Sequence, residues 1–247
     1  MDTSINKYIS ETGFCSRREA DKFIEQGRVT INGNIALKGN RVGENDIVHI
    51  DDEPLKKKKS FSSIYILLNK PKGITCTTDQ KDKTNIIDFI NYKTRIFPVG
   101  RLDKRSEGII FLTNDGDIVN KILRAGNQHE KEYVVTVDKP ISPEFITKMR
   151  TGVRILNSTT LPCFVKQEGP HRFRIILIQG LNRQIRRMCE ALDYKVESLV
   201  RTRIMNITAK GLPVGKWRYF TQEEISTIND MLANSSKTAE GQDGMDE

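Results

Sequence analysis

A chain of 247 residues, 37% hydrophobic, with 40 Lys/Arg against 32 Asp/Glu and a formal net charge of +8, can build one large or two unequal domains and should be drawn to polyanions. Its longest apolar run, Ile64 to Leu68, is far too short for a membrane span, and Met1-Asp2-Thr3-Ser4 lacks the basic and apolar regions of a secretory signal. Cys15, Cys76, Cys163 and Cys189 form no Cys-x-x-Cys pair, and His49, His129 and His171 show no ligand spacing, so no metal site or disulfide framework is indicated. The histidines are expected at the surface or in turns, and a reducing cytoplasm fits the cysteine usage best.

Residues 1–50 read as a small basic module. Ser16 and Glu19 make a capping-box pattern for a helix from Arg17 to Gln26, closed by Gly27, with Ala20, Phe23 and Ile24 on one face. Val29-Thr30-Ile31, then Asn32-Gly33, then Ile35 read as a strand and tight turn, and a last strand is expected from Asp46 to Ile50. Residues 51–63 hold a Pro, a lysine run and serines without apolar period, which is the composition of a linker.

A second domain is expected over 64–232, with short strands at Ile64–Leu68, Arg95–Val99, Gly108–Thr113, Lys131–Val137, Leu161–Lys166, Phe173–Ile178 and Val196–Leu199. Helices are expected at Asn85–Asn91, Asp117–Arg124, Pro143–Arg150, Arg183–Leu192 and Gln222–Leu232, the last opened by a Thr221/Glu224 capping box. Residues 233–247 are polar and net acidic, so they are expected to be disordered. Charge is uneven along this domain. Between His171 and Arg218 there are eleven Lys/Arg and three acids, which suggests a phosphate-binding surface.

The most informative stretch is Phe97 to Gly116, where a polar, Gly-bounded break holding Asp103 separates two strand-like runs. Active-site loops are built in this way, although an isolated Asp in a loop is more often a turn cap. Gly100-Arg101-Leu102-Asp103, Ser106 and Gly108 resemble the signature G-R-L-D-x-x-S-x-G-L of pseudouridine synthases that modify ribosomal RNA. The resemblance implies that Asp103 is the catalytic nucleophile. It extends to Asn69-Lys70-Pro71-Lys72-Gly73, to the K-x-Y-x-V pattern at Lys131, Tyr133 and Val135, and to Gly180 with Gln184-Ile185-Arg186. It then implies that Tyr133 stacks on the target base and that Arg186 pairs with Asp103.

The first fifty residues resemble the RNA-binding domain of ribosomal-protein-S-four type, carried on Ile5 to Ile9, Cys15 to Asp21 and Gly27-Arg28-Val29. Arg17 and Arg18 in the first turn of a helix oppose its dipole, which a polyanion contact would explain. The fold implied is α+β: a catalytic domain with a mixed, largely antiparallel sheet of pseudouridine synthase type, after a small α/β RNA-binding domain. RNA contacts are expected from Lys7, Arg17, Arg18, Arg28, Lys70, Arg101, Arg105, Arg183, Arg187, Arg201 and Arg203. Arg183, Arg186 and Arg187, three and four residues apart, should share a helix face, one toward the pocket and others toward phosphates. The wording of Gly126 to Tyr133 and of Arg201 to Asn206 looks most like the large-subunit members, so large-subunit ribosomal RNA is the expected partner, with a transfer RNA as a secondary substrate. A monomer without metal or cofactor is implied. The competing reading is a non-catalytic RNA-binding assembly factor.

Overall fold

The computed structural model describes residues 2–55, 63–123 and 128–233. The chain divides into two compact units, Met1–Ser62 and Ser63–Glu247.

In the first unit, β1 (Thr3–Ser4) leads into α1 (Ile5–Glu11), followed by α2 (Arg17–Glu25), β2 (Val29–Ile31), β3 (Asn34–Ile35), β4 (Arg41–Val42), β5 (Val48–Ile50) and β6 (Glu53–Pro54). Helix α2 starts where the capping box requires: Ser16 Oγ accepts from the Glu19 amide, and the Glu19 carboxylate accepts from the Ser16 amide. Helix α1 was not expected. It is seven residues long with no side-chain cap, so what holds it is burial of Ile5, Tyr8 and Ile9 along one face against Ala20, Ile24 and Val29. Strands β2 and β3 turn through Asn32 and Gly33, both at positive φ. A second turn of this kind, through Asp51 and Asp52, pairs β5 with β6. Residues 51–54 therefore form the turn and last strand of this sheet, which moves the expected boundary beyond residue 50. The expected linker lies otherwise at 56–62, outside the described residues, as does nearly all of the expected disordered tail, 234–247.

The second unit runs β7 (Tyr65–Lys70), α3 (Ile86–Ile90), β8 (Phe97–Val99), β9 (Glu107–Thr113), α4 (Gly116–Leu123), β10 (Lys131–Val137), α5 (Pro143–Thr151), β11 (Arg154–Ile155), β12 (Ser158–Thr159), β13 (Phe164–Gly169), β14 (Arg172–Leu177), α6 (Gln184–Glu190), β15 (Val196–Ile204), β16 (Ile207–Thr208), β17 (Trp217–Tyr219) and α7 (Gln222–Leu232). Its nine-stranded sheet has the order β13-β14-β10-β15-β9-β7-β17, with β16 on β15 and β8 on β9. Every ladder in it is antiparallel except β9 with β15. The sheet is thus mixed and largely antiparallel, as expected.

The half around β7 and β9 is buried on both faces, which is why β9 reads as an unbroken apolar run. Ile109 and Phe111 meet Ile118 and Ile122 of α4 and Ile228 of α7. Ile110 and Leu112 meet Ile86, Ile90 and Leu102. In the other half, α5 and α6 cover one face, where Phe145, Met149, Ile185 and Met188 pack on Val135, Phe173 and Ile175. Tyr133 touches both this cluster and the one containing Leu102, so a cleft opens between the two coverings at the β9/β15 junction. Gly108 makes that junction possible. It sits opposite Arg201 at φ +108°, and a Cβ there would lie 2.1 Å from the Arg201 carbonyl oxygen.

Candidate active site

Asp103 lies in the β8–β9 loop, which is fixed from below. Leu102 is buried and its amide donates to Cys76 Sγ at 3.3 Å, the Ser106 amide donates to the Asp103 carbonyl at 2.9 Å, and the Gly73 amide donates to the Lys104 carbonyl at 2.7 Å. The turn after β7 therefore braces the loop. Lys70 belongs to that brace: fully buried, it donates from Nζ to the Pro71 and Ile74 carbonyls, and burial lowers its pKa. Its ammonium is therefore enclosed by backbone carbonyls rather than presented at the surface, where the expected phosphate contact would need it.

Helix α6 brings the cations. Arg183 stands at its N-cap in the left-handed region, φ 50°, rather than inside the helix, so it does not extend a helix face shared with Arg186 and Arg187. Arg186 projects inward with only a tenth of its side chain exposed. Its Nε donates to Asp103 Oδ2, its Nη1 to the Val196 carbonyl and its Nη2 to Ser106 Oγ, each at 3.2 Å. A guanidinium fixed on three sides is a rigid counter-charge for one carboxylate. Arg183 Nη1 is a second cation 3.7 Å from the same Oδ2, so a residue expected at phosphate instead flanks the carboxylate. Arg187 turns away and donates to the Asn182 carbonyl and side chain.

Asp103, Ser106, Arg183 and Arg186 line one cleft with Tyr133, Gln179, Leu181 and Leu199. Tyr133 projects from β10 directly opposite Arg201 of β15, beside an irregularity in register between Glu132 and Tyr133. Among the described residues lining the cleft, Asp103 is the one carboxylate. Gln179 and Leu181 were missed from sequence, where they carry no pattern of their own. Ser106 was visible in the signature, but its role as acceptor for Arg186 was not.

The remaining basic positions divide sharply. Arg17, Arg18, Arg101 and Arg105 are exposed and have no ion-pair partner among the described residues. Arg201, expected at RNA, is 4% exposed, donates from Nε to the Ile109 carbonyl and has no partner for its Nη2 among the described residues, so its side chain is enclosed by the sheet rather than presented at the surface. Arg203 pairs with Glu130 and Glu132, Arg28 with Asp51, and Lys7 with Glu11. The surplus expected between His171 and Arg218 is largely matched from outside that segment: Arg174 bonds Glu132 and Glu168, and Arg218 bonds Glu224. Nor is the first unit strongly basic. Residues 1–62 contain eleven Lys/Arg and ten Asp/Glu, and four of those lysines are the run Lys56–Lys59. His129, expected near the surface, is 6% exposed, and burial lowers its pKa. Nearby Lys131 donates to the His129 carbonyl, and its pKa is lowered to about 8, first by burial and then by Arg201.

Comparison with known families agrees with this geometry: the RNA pseudouridylate synthase model matches residues 64–191 and the S4 domain model matches residues 4–48, and the chain belongs to the RNA pseudouridylate synthase family. It is a pseudouridine synthase with an N-terminal S4 domain. The dual-specificity RNA pseudouridine synthase RluF of Escherichia coli K12 is 55% identical over 232 residues, covering 94% of this chain and 80% of that protein. Ribosomal large subunit pseudouridine synthase B of Bacillus subtilis 168 is 32% identical over 245 residues, covering 95% and 98%. A solved structure described as the crystal structure of pseudouridylate synthase aligns with a TM-score of 0.68 at 29% identity, covering 91% of this chain and 99% of the other.

Proposed function

We propose that this enzyme isomerises a specific uridine of large-subunit ribosomal RNA, with a transfer RNA as a second substrate, and that Asp103 is the nucleophile. The observation that carries the reading is the Asp103–Arg186 pair at 3.2 Å in a cleft that also presents Tyr133. Isomerisation breaks the bond between uracil nitrogen and ribose, turns the base while it stays bound, and joins carbon five to the ribose. A carboxylate suits this because it can attack and later depart, without a redox step. Arg186 holds it in place and supplies counter-charge, and the Tyr133 ring supports the base once it has left its stack. Hydrolysis of a glycosidic bond generally uses two matched carboxylates, and the cleft offers one.

The substrate assignment is supported by the relatives, whose names specify a dual-specificity RNA enzyme and a large-subunit ribosomal enzyme. The phosphates would meet exposed Arg101 and Arg105 beside the cleft and Arg17 and Arg18 on the S4 domain. In this reading the enzyme acts as a cytoplasmic monomer without metal or cofactor. Carbodiimide mapping of pseudouridine in ribosomal and transfer RNA from cells lacking and regaining the protein tests it. One large-subunit uridine should lose and recover the modification, and unchanged large-subunit maps would reject the assignment.

A further inference from the structure

We infer that Phe14 on the S4 domain is a stacking platform for one unpaired nucleobase of the RNA, an inference that rests on the RNA-substrate reading above. Phe14 is 54% exposed and forms the ridge between two concavities. The larger, of about 440 Å³, is lined also by Cys15, Glu19, Lys22, Phe23, Gln26 and Arg28. The smaller, of about 260 Å³, lies toward Ile50, Pro54 and Leu55.

The ring is supported from behind. Phe14 meets Phe23 edge to face, with centroids 5.7 Å apart and planes at 63°, and the Arg28 guanidinium lies 4.3 Å over the Phe23 ring. Asp51 holds that guanidinium through both Nε and Nη2. An edge-to-face contact secures the Phe14 ring while leaving aromatic surface open. A cation stands beside it, since Lys22 lines the larger concavity with Phe14. Arg18 lies one turn before Lys22 on α2, and both, with Arg17, are exposed and without ion-pair partners among the described residues. The S4 domain is nearly neutral, with seven Lys/Arg against six Asp/Glu over residues 4–48, so its attraction for RNA has to be local, and these unpaired cations mark the place. An open aromatic ring next to free cations matches a nucleotide: ring against base, ammonium and guanidinium against the adjoining phosphates.

The test compares full-length wild type, Phe14→Tyr, Phe14→Leu and Phe14→Ala for affinity to the ribosomal RNA fragment over a range of KCl concentrations. Phe14→Leu keeps an apolar side chain against Phe23 and so controls for folding. Phe14→Tyr should bind within twofold of wild type, whereas Phe14→Leu and Phe14→Ala should bind roughly tenfold more weakly, the scale of one missing base stack. Their log-log salt slopes should match wild type, since no cation is removed. Ultraviolet crosslinking of the wild-type complex should leave a nucleotide on the peptide containing Phe14. Wild-type affinity in Phe14→Leu and Phe14→Ala, or an adduct only when a ribosomal protein is added, would overturn the inference. Failure of the wild type itself to bind the RNA would instead overturn the substrate reading beneath it.

Discussion

Asp103, Arg186 and Ser106 are linked by hydrogen bonds that cross from the β8–β9 loop to α6, so a change at one is felt at the others. Arg186→Met should damage the chemical step far more than RNA affinity, because the side chain serves one carboxylate. Arg187→Met, which frees only Asn182, should have its larger effect on affinity. Rate and affinity measured for both on one RNA separate the roles, and equal effects would contradict them. Tyr133→Phe should retain base binding, while Tyr133→Ala should lose about 1–3 kcal/mol if a stacking interaction disappears. Lys131 gives a pH prediction. Its folded pKa, about 8, lies below the ordinary lysine value, so burying its charge is costly below that pH, and the cost diminishes as pH rises through the folded and then the unfolded value. The stability of wild type relative to Lys131→Met should therefore rise above pH 8. A flat difference between pH 7 and 10 in parallel denaturant titrations would contradict the burial argument.

At the scale of elements, the parallel β9–β15 pair decides the geometry, since it places the Asp103 loop beside the strand opposite Tyr133. Gly108→Ala would drive a Cβ into the Arg201 backbone and should cost several kcal/mol, roughly the upper range for single substitutions, with activity lost in proportion to folding. Thermal melts beside the activity assay check this, and a fully stable variant would refute the close approach. Strand β10 and helix α7 were legible to the residue, the first from its β-branched and aromatic content and the second from its capping box. Strand β15 was underestimated by five residues because Arg201, Thr202 and Arg203 look like surface sequence, and a register irregularity interrupts the pairing there. Strand β13 begins at Phe164 rather than Leu161, just beyond Pro162, which has no amide to donate to a ladder. Strand β17 has three residues and no alternation to read. Asp103 and Arg186 could be singled out from wording alone, but the burial of Lys70 and Arg201 could not, since such side chains are seldom inside.

For the whole molecule, net charge was a poor guide to where RNA would lie. Much of the surplus is paired internally, and the first unit is nearly neutral in total. Removing the first unit should therefore act through a few phosphates. The truncated enzyme should bind RNA more weakly, with a log-log salt slope smaller by roughly one for each phosphate that the S4 domain would have neutralised, and should still modify a minimal stem-loop slowly. An unchanged slope would mean that the S4 domain touches no phosphate. The central claim, that Asp103 performs the chemistry, is tested most directly by single-turnover pseudouridine formation with Asp103→Asn, which keeps the size of the side chain and one oxygen for Arg186 to meet. No product at saturating enzyme, with RNA affinity within a few fold of wild type, is the predicted result, and measurable turnover by this variant would contradict the account.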